Sequence, residues 1–212
     1  MEHDSGGWFA GSRRYPSPNF NRRPIGSWPE LIVIHGISLP PGRFGSDDIA
    51  SFFSNRLDCT QHPFYREIED LRVSAHFLIE RTGSVTQFVS CDHRAWHAGQ
   101  SCWQGRANCN DFSLGIELEG TDTTPYEKAQ YHSLALLTRA LFSRYRSLDL
   151  QNIVGHSDIA PERKTDPGPA FDWALYHAQL AALLEQNPVG RVNRTGAIST
   201  TDDSPDLRAS PL

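Results

Sequence analysis

The chain has 212 residues, with 20 basic and 25 acidic side chains, a formal charge of −5, 38% hydrophobic residues, five tryptophans and eleven phenylalanines. That length and aromatic content are enough for one domain with a sizeable core, and the lack of a Lys/Arg-rich block argues against nucleic acid as a partner. No stretch approaches the roughly 18 apolar residues of a membrane span, and MEHDSGGWFAGSRRYPSPNFNRR at the N-terminus has no apolar run of the secretory kind. Cys59, Cys91, Cys102 and Cys109 form no Cys-x-x-Cys pair, which reads as neither a zinc ribbon nor a redox couple. A reduced, cytoplasmic setting without a membrane partner is the expectation.

In chain order, residues 1–29 are rich in Pro, Gly, Ser and Arg, the composition of an extended arm laid over a surface. The domain proper is expected over residues 30–189. It opens with LIVIH, a run of apolar and β-branched residues that reads as a buried strand. Alternation sends Leu31, Val33 and His35 to one face and Ile32 and Ile34 to the other. SDDIASFFSNRL predicts a short helix with Ser46 as N-cap, Asp47 and Asp48 in the first turn, and Ile49, Phe52 and Phe53 as its apolar face. HFLIERTGSVTQFV gives two strand-like runs about a turn at Thr82 and Gly83. FSLGIELEG is a further strand, with Leu114, Ile116 and Leu118 on one face and Gly115, Glu117 and Glu119 on the other.

TPYEKAQYHSLALLTRALFSRY predicts a long helix with Thr124 as N-cap, Pro125 first, Glu127 at the capping-box position, and a stripe of Leu134, Leu137 and Leu141. NIVGH is a short strand, and PERKTDPGP a stiff loop. FDWALYHAQLAALLEQ is a final helix with Trp173, Tyr176, Leu180 and Leu184 on one face, ended by Pro188 and Gly190. Residues 190–212 are polar and small, and read as a disordered tail. Strands alternating with helices predict a single α/β (α+β) domain with a central mixed sheet flanked by helices.

Among the nine histidines, His3, His62, His132 and His177 sit in polar or helix-surface contexts where a solvated imidazole is the default. His35 and His156 differ, because each ends a short apolar strand just before a turn, where open sheets carry active-site groups. Asp166 follows in a loop held by Pro161, Pro167, Gly168 and Pro169, so a carboxylate can return to the imidazole. Two histidines and a carboxylate suit zinc, whose catalytic sites keep three N or O ligands and one open position. The competing reading is a capping Asp before Pro-Gly beside two hydrogen-bonded histidines. Glu117 reads either as part of a solvated strand face or, beneath a metal site, as the acceptor of a proton from water. Lys164 is either a surface lysine or a partner for a developing oxyanion.

The stretches VIHGISLPPGRFG, RVSAHFLIERTGSVTQFV, RAWHAGQSCWQGR, CNDFSLGIELEGTD and GHSDIAPERKTDPGPAFDW closely resemble the AmpD-type N-acetylmuramoyl-L-alanine amidases, over about residues 24–185. The wider fold group is similar to that of the peptidoglycan recognition proteins. The resemblance implies one zinc ion per chain on His35, His156 and Asp166, with Glu117 as catalytic acid/base and Lys164 assisting the transition state. It also implies that Arg72 holds a stem-peptide carboxylate and that Trp96 and His97 of the WHAG segment line the cleft, although Trp96 reads equally as core.

Gly36 stands where the family commonly has Asn, and Asn108 where a second substrate-binding Arg is frequent, so both positions bear on peptide specificity. The implied reaction is hydrolysis of the amide between (1,6-anhydro-)N-acetylmuramic acid and L-alanine in small cytosolic muropeptides, for cell-wall recycling, by a monomer. Two alternatives stand beside it. One is a non-catalytic peptidoglycan-binding module, and the other an exported amidase acting on intact wall.

Overall fold

The computed structural model describes residues 6–186, so the expected tail and the helix-ending Pro188 and Gly190 lie outside the described residues. The strands in chain order are β1 (Arg13–Arg14), β2 (Phe20–Arg22), β3 (Leu31–Ile37), β4 (Phe77–Ile79), β5 (Val85–Gln87), β6 (His93–Ala95), β7 (Cys102–Trp103), β8 (Arg106–Ala107), β9 (Ser113–Glu119) and β10 (Ile153–Gly155). Helices are α1 (Asp48–Phe53), α2 (Pro63–Glu67), α3 (Lys128–Arg144), α4 (His156–Ile159) and α5 (Trp173–Gln186). A six-stranded sheet runs β1-β5-β4-β9-β3-β10. It is mixed, because β4 and β5 form the antiparallel hairpin expected at Thr82 and Gly83 while the other four pairings are parallel.

Strands β3 and β9 lie inside this sheet, and all seven residues of β9 are buried, as a parallel strand covered on both faces requires. Ile32, Ile34, Leu114, Ile116 and Leu118 pack in one cluster with Leu134, Leu137 and Leu141 of α3 and Tyr176 and Leu180 of α5. The hydroxyls of Thr138 and Tyr176 meet at 2.8 Å between the two helices. Leu31 and Val33 belong to a different cluster, with Phe112, Ala98 and Val154. The alternation read along LIVIH is therefore the one the fold uses, and it carries His35 to the face away from α3 and α5.

Two helix starts differ from expectation. α3 begins at Lys128 and not after Thr124; its N-cap is Glu127, whose N–H donates to Gln130 Oε1 at 2.9 Å. Thr124 is occupied locally, its N–H and hydroxyl both meeting Thr121 Oγ1, Tyr126 turns inward, and Glu127 is extended (φ −80°, ψ 148°), so the helix opens only after it. α1 starts at Asp48 with Asp47 as N-cap, one residue later than expected, while Ser46 Oγ accepts from Asp48 N–H at 3.3 Å.

Upstream of the sheet's first long strand, Phe9 is buried with its ring edge-on to Phe77 at 5.6 Å, and its N–H donates to Gln87 Oε1 at 2.9 Å. β1 extends the edge of the sheet beside β5, and β2 pairs with β6. Among the described residues the four cysteines are free thiols, and no helix is long and apolar enough to cross a membrane.

Candidate functional site

His35 is the fifth residue of β3 and His156 the first of α4, directly after β10. Because Gly155 pairs with Ile34 across the parallel β10–β3 ladder, the residue that follows each in sequence brings the two imidazoles together. The loop after α4 returns Asp166 to them, pinned by Ser157 N–H on Asp166 O and by the Tyr126 hydroxyl on Pro167 O, each at 3.0 Å. His35 Nδ1 lies 2.9 Å from His156 Nδ1 and 3.2 Å from Asp166 Oδ2, and His156 Nδ1 lies 3.1 Å from the same oxygen.

The chemistry of this donor set fits a metal ion. His156 Nε2 lies 3.3 Å from the carbonyl oxygen of Ala98, which can only accept. In the neutral ring this contact places the proton on Nε2 and leaves Nδ1 a lone pair. The three atoms gather at 2.9–3.2 Å, close to the roughly 3.3 Å by which a tetrahedral ion with bonds of about 2.0–2.1 Å spaces its ligands, so the set could hold such an ion. Burial lowers the His35 pKa to about 4, with Asp166 opposing and the charges of His156 and Lys164 reinforcing the shift, so the ring is neutral and ligand-competent at pH 7. Burial pushes the Asp166 carboxyl up, but its contacts with His156 and His35 outweigh that and hold it well below the usual range.

Glu117 is paired in register with His35. It is buried, and its Oε2 has no hydrogen-bond partner among the described residues. Its strand neighbour Glu119 is buried too, but Glu119 accepts from the N–H of Gly45 and of Arg81. The solvated-face reading therefore fails for both, and only Glu119 is explained as a structural acceptor. Burial raises the Glu117 pKa well above its ordinary value, the Asp166 charge adds to the rise, and Lys164 opposes it. The half-buried Lys164 thus acts electrostatically on both Glu117 and His35.

Of the remaining expected residues, His97 and Gly36 adjoin His35, and the others lie elsewhere. His97 lies against His35, Nδ1 to Nε2 at 2.9 Å. Trp96 is half-buried, and its indole N–H donates to Asn21 Oδ1 at 2.9 Å, tying the WHAG segment to β2. Gly36 follows His35 on β3, and a Cβ there would overlap the Tyr126 hydroxyl. Asn108 is exposed in a left-handed conformation (φ 58°) that asparagine tolerates, and it opens the turn carrying Asn110. Arg72 is exposed, donates to the carbonyls of Glu69 and Leu71, and lines a surface cavity of about 200 Å³ whose wall includes none of the three clustered donors.

Two residues, the buried His76 and the half-buried Arg23, are not singled out by the sequence. His76 Nδ1 accepts from Gly115 N–H at 3.0 Å, and its Nε2 lies 3.1 Å from His93 O. Burial drives its pKa well down, with the Arg23 charge adding to the effect. Arg23 donates to the carbonyls of Asn110, Asp111, Cys91 and Ser113, lacing the segments around the site together. The partners in both cases are mostly main-chain groups remote in sequence, which residue type and spacing do not register.

Known proteins resemble this chain in both sequence and fold. The family model described as N-acetylmuramoyl-L-alanine amidase (Amidase_2) matches residues 22–169. The chain is 56% identical over 180 residues to the 1,6-anhydro-N-acetylmuramyl-L-alanine amidase AmpD of Enterobacter cloacae, covering 85% of this chain and 96% of that one. It superposes on the crystal structure of a selenomethionine derivative of AmpD with a TM-score of 0.82 at 54% identity, over 85% and 99% of the two chains. It also superposes on the E. coli amidase AmiD, solved with the substrate anhydro-N-acetylmuramic acid-L-Ala-D-γ-Glu-L-Lys, with a TM-score of 0.55 at 30% identity over 74% and 60% of the chains. By residues matched and by identity, the chain belongs to the N-acetylmuramoyl-L-alanine amidase family.

Proposed function

We propose that this chain is a zinc-dependent amidase that hydrolyses the bond between 1,6-anhydro-N-acetylmuramic acid and L-alanine in small muropeptides. The observation that carries this reading is the buried, unpartnered carboxylate oxygen of Glu117, on the strand position paired with His35 of the three-donor cluster. An unsatisfied buried acceptor is costly and calls for a functional explanation. The anhydro-muropeptide preference is supported by the AmpD and AmiD relatives. Muropeptides of that size suit a cytosolic recycling enzyme working as a monomer, with residues 6–29 packed on the amidase domain as an arm.

His35, His156 and Asp166 would hold the ion. Zinc there would supply positive charge that polarises the scissile carbonyl and makes attacking water more acidic. Glu117 takes the proton from that water as it attacks. Lys164 offers its ammonium to the oxyanion of the tetrahedral intermediate. Glu117 then delivers the proton to the departing alanine nitrogen, because an amine leaves far more readily when protonated.

Digestion of a purified anhydro-muropeptide, followed by mass spectrometry with and without chelator, tests the whole reading. Free peptide beginning with L-alanine, lost on chelation and regained with zinc, is the expected result. Binding without cleavage would leave a recognition module, and cleavage of polymeric peptidoglycan in preference to the muropeptide would point to an enzyme of the intact wall.

A further inference from the structure

Resting on the zinc reading above, we infer that His97 and Ala98 form a clamp that positions both histidine ligands, and that His97 is a positioning residue and not part of the substrate wall. If His35 gives Nδ1 to the ion, its ring proton is on Nε2 and is donated to His97 Nδ1 at 2.9 Å. His97 then carries its own proton on Nε2, donated to Ser113 Oγ at 3.1 Å. The next residue serves the other ligand, since Ala98 O accepts from His156 Nε2 at 3.3 Å. One side chain aligns both: the buried Asn110 accepts through Oδ1 from the N–H of His97 at 3.0 Å and of Ala98 at 2.8 Å.

The ring of His97 is fixed from beneath as well. It lies over Gly115 of β9, where an added Cβ would stand 2.6 Å from Nδ1 and 2.7 Å from Cδ2. Gly115 is thus two positions from Glu117 on the strand face that supports both the clamp and the carboxylate. Partners on the outer nitrogen of a ligating imidazole set its tautomer and orientation and raise its basicity, and losing one typically weakens metal binding about 10–100-fold.

The test is zinc affinity, measured by competition with a chromophoric chelator, beside the imidazole N–H signals of the zinc-loaded protein in NMR. His97→Ala is expected to weaken zinc about 10–100-fold and to expose the His35 Nε2 proton to fast exchange. His97→Gln, whose amide oxygen can accept that proton, should recover most of the affinity. Gly115→Ala, which keeps His97 but displaces its ring, should weaken zinc as well, so the clamp stays testable if His97→Ala does not fold. Zinc affinity within twofold of the parent in both alanine variants, with a raised KM in His97→Ala, would return His97 to the substrate wall. A parent protein that binds no zinc would instead overturn the metal reading itself, and the clamp with it.

Discussion

His35 of β3 and Glu117 of β9 stand opposite each other in register on neighbouring parallel strands. The sheet, and not a loop, therefore sets the separation between the first imidazole of the cluster and the unpartnered carboxylate. Because side chains alternate along a strand, a one-residue slip of either strand would send its member to the α3/α5 face. Glu117→Gln preserves shape and register, so zinc content should stay at the parent level while turnover falls by on the order of 10²–10⁴, the span of a general acid/base. Elemental analysis and steady-state kinetics on the same preparation check both halves.

The same substitution should stabilise the metal-free protein at neutral pH. The Glu117 pKa is raised in the folded state by burial and by Asp166, so between the unfolded value near 4.3 and the folded value the native state holds more protons than the unfolded one. Stability attributable to this group therefore falls as pH rises through that window. Thermal melts of chelator-treated protein should show Glu117→Gln melting a few degrees above the parent at pH 7, with the difference closing towards pH 4. For a chain of this size each kcal/mol corresponds to about 2–4 °C.

The charge of Lys164 bears on both Glu117 and His35. Lys164→Met keeps much of the aliphatic bulk and removes the ammonium. It should lower kcat by roughly 10²–10³, the usual loss for one oxyanion-stabilising group, with a smaller change in KM. Equal kcat in the two proteins would assign Lys164 to the surface.

Phe9→Ala tests whether the arm belongs to the folded unit. The ring is 3% exposed and packs against Phe77 of the central sheet, so its removal should cost about 3–5 kcal/mol. Urea denaturation gives that difference, and a change below about 1 kcal/mol would make the arm a passive wrapping.

The two faces of β3 were legible because alternation along Leu31–His35 is a local property of the chain. The fate of Glu117 was not. Whether a strand face meets solvent depends on strand order, and the position of β9 between β4 and β3 is set by pairings across the chain. The start of α3 departs from the sequence expectation for a local reason, since Thr121 and Thr124 satisfy each other and Tyr126 is drawn to Pro167. His97 was visible only as a member of a motif. Its contact with His35 Nε2 depends on which ring nitrogen faces which neighbour, and residue type does not encode that.

The donors come from positions 35, 156 and 166, and β10, after which α4 and its following loop carry the last two, enters the sheet at its edge beside β3. An ion bound there would cross-link segments 131 positions apart, and metal availability would then enter the protein's resistance to unfolding. It also orders events in time. During synthesis β3 leaves the ribosome long before its partner, and a nascent chain has an incomplete site until the loop bearing Asp166 has emerged and folded back.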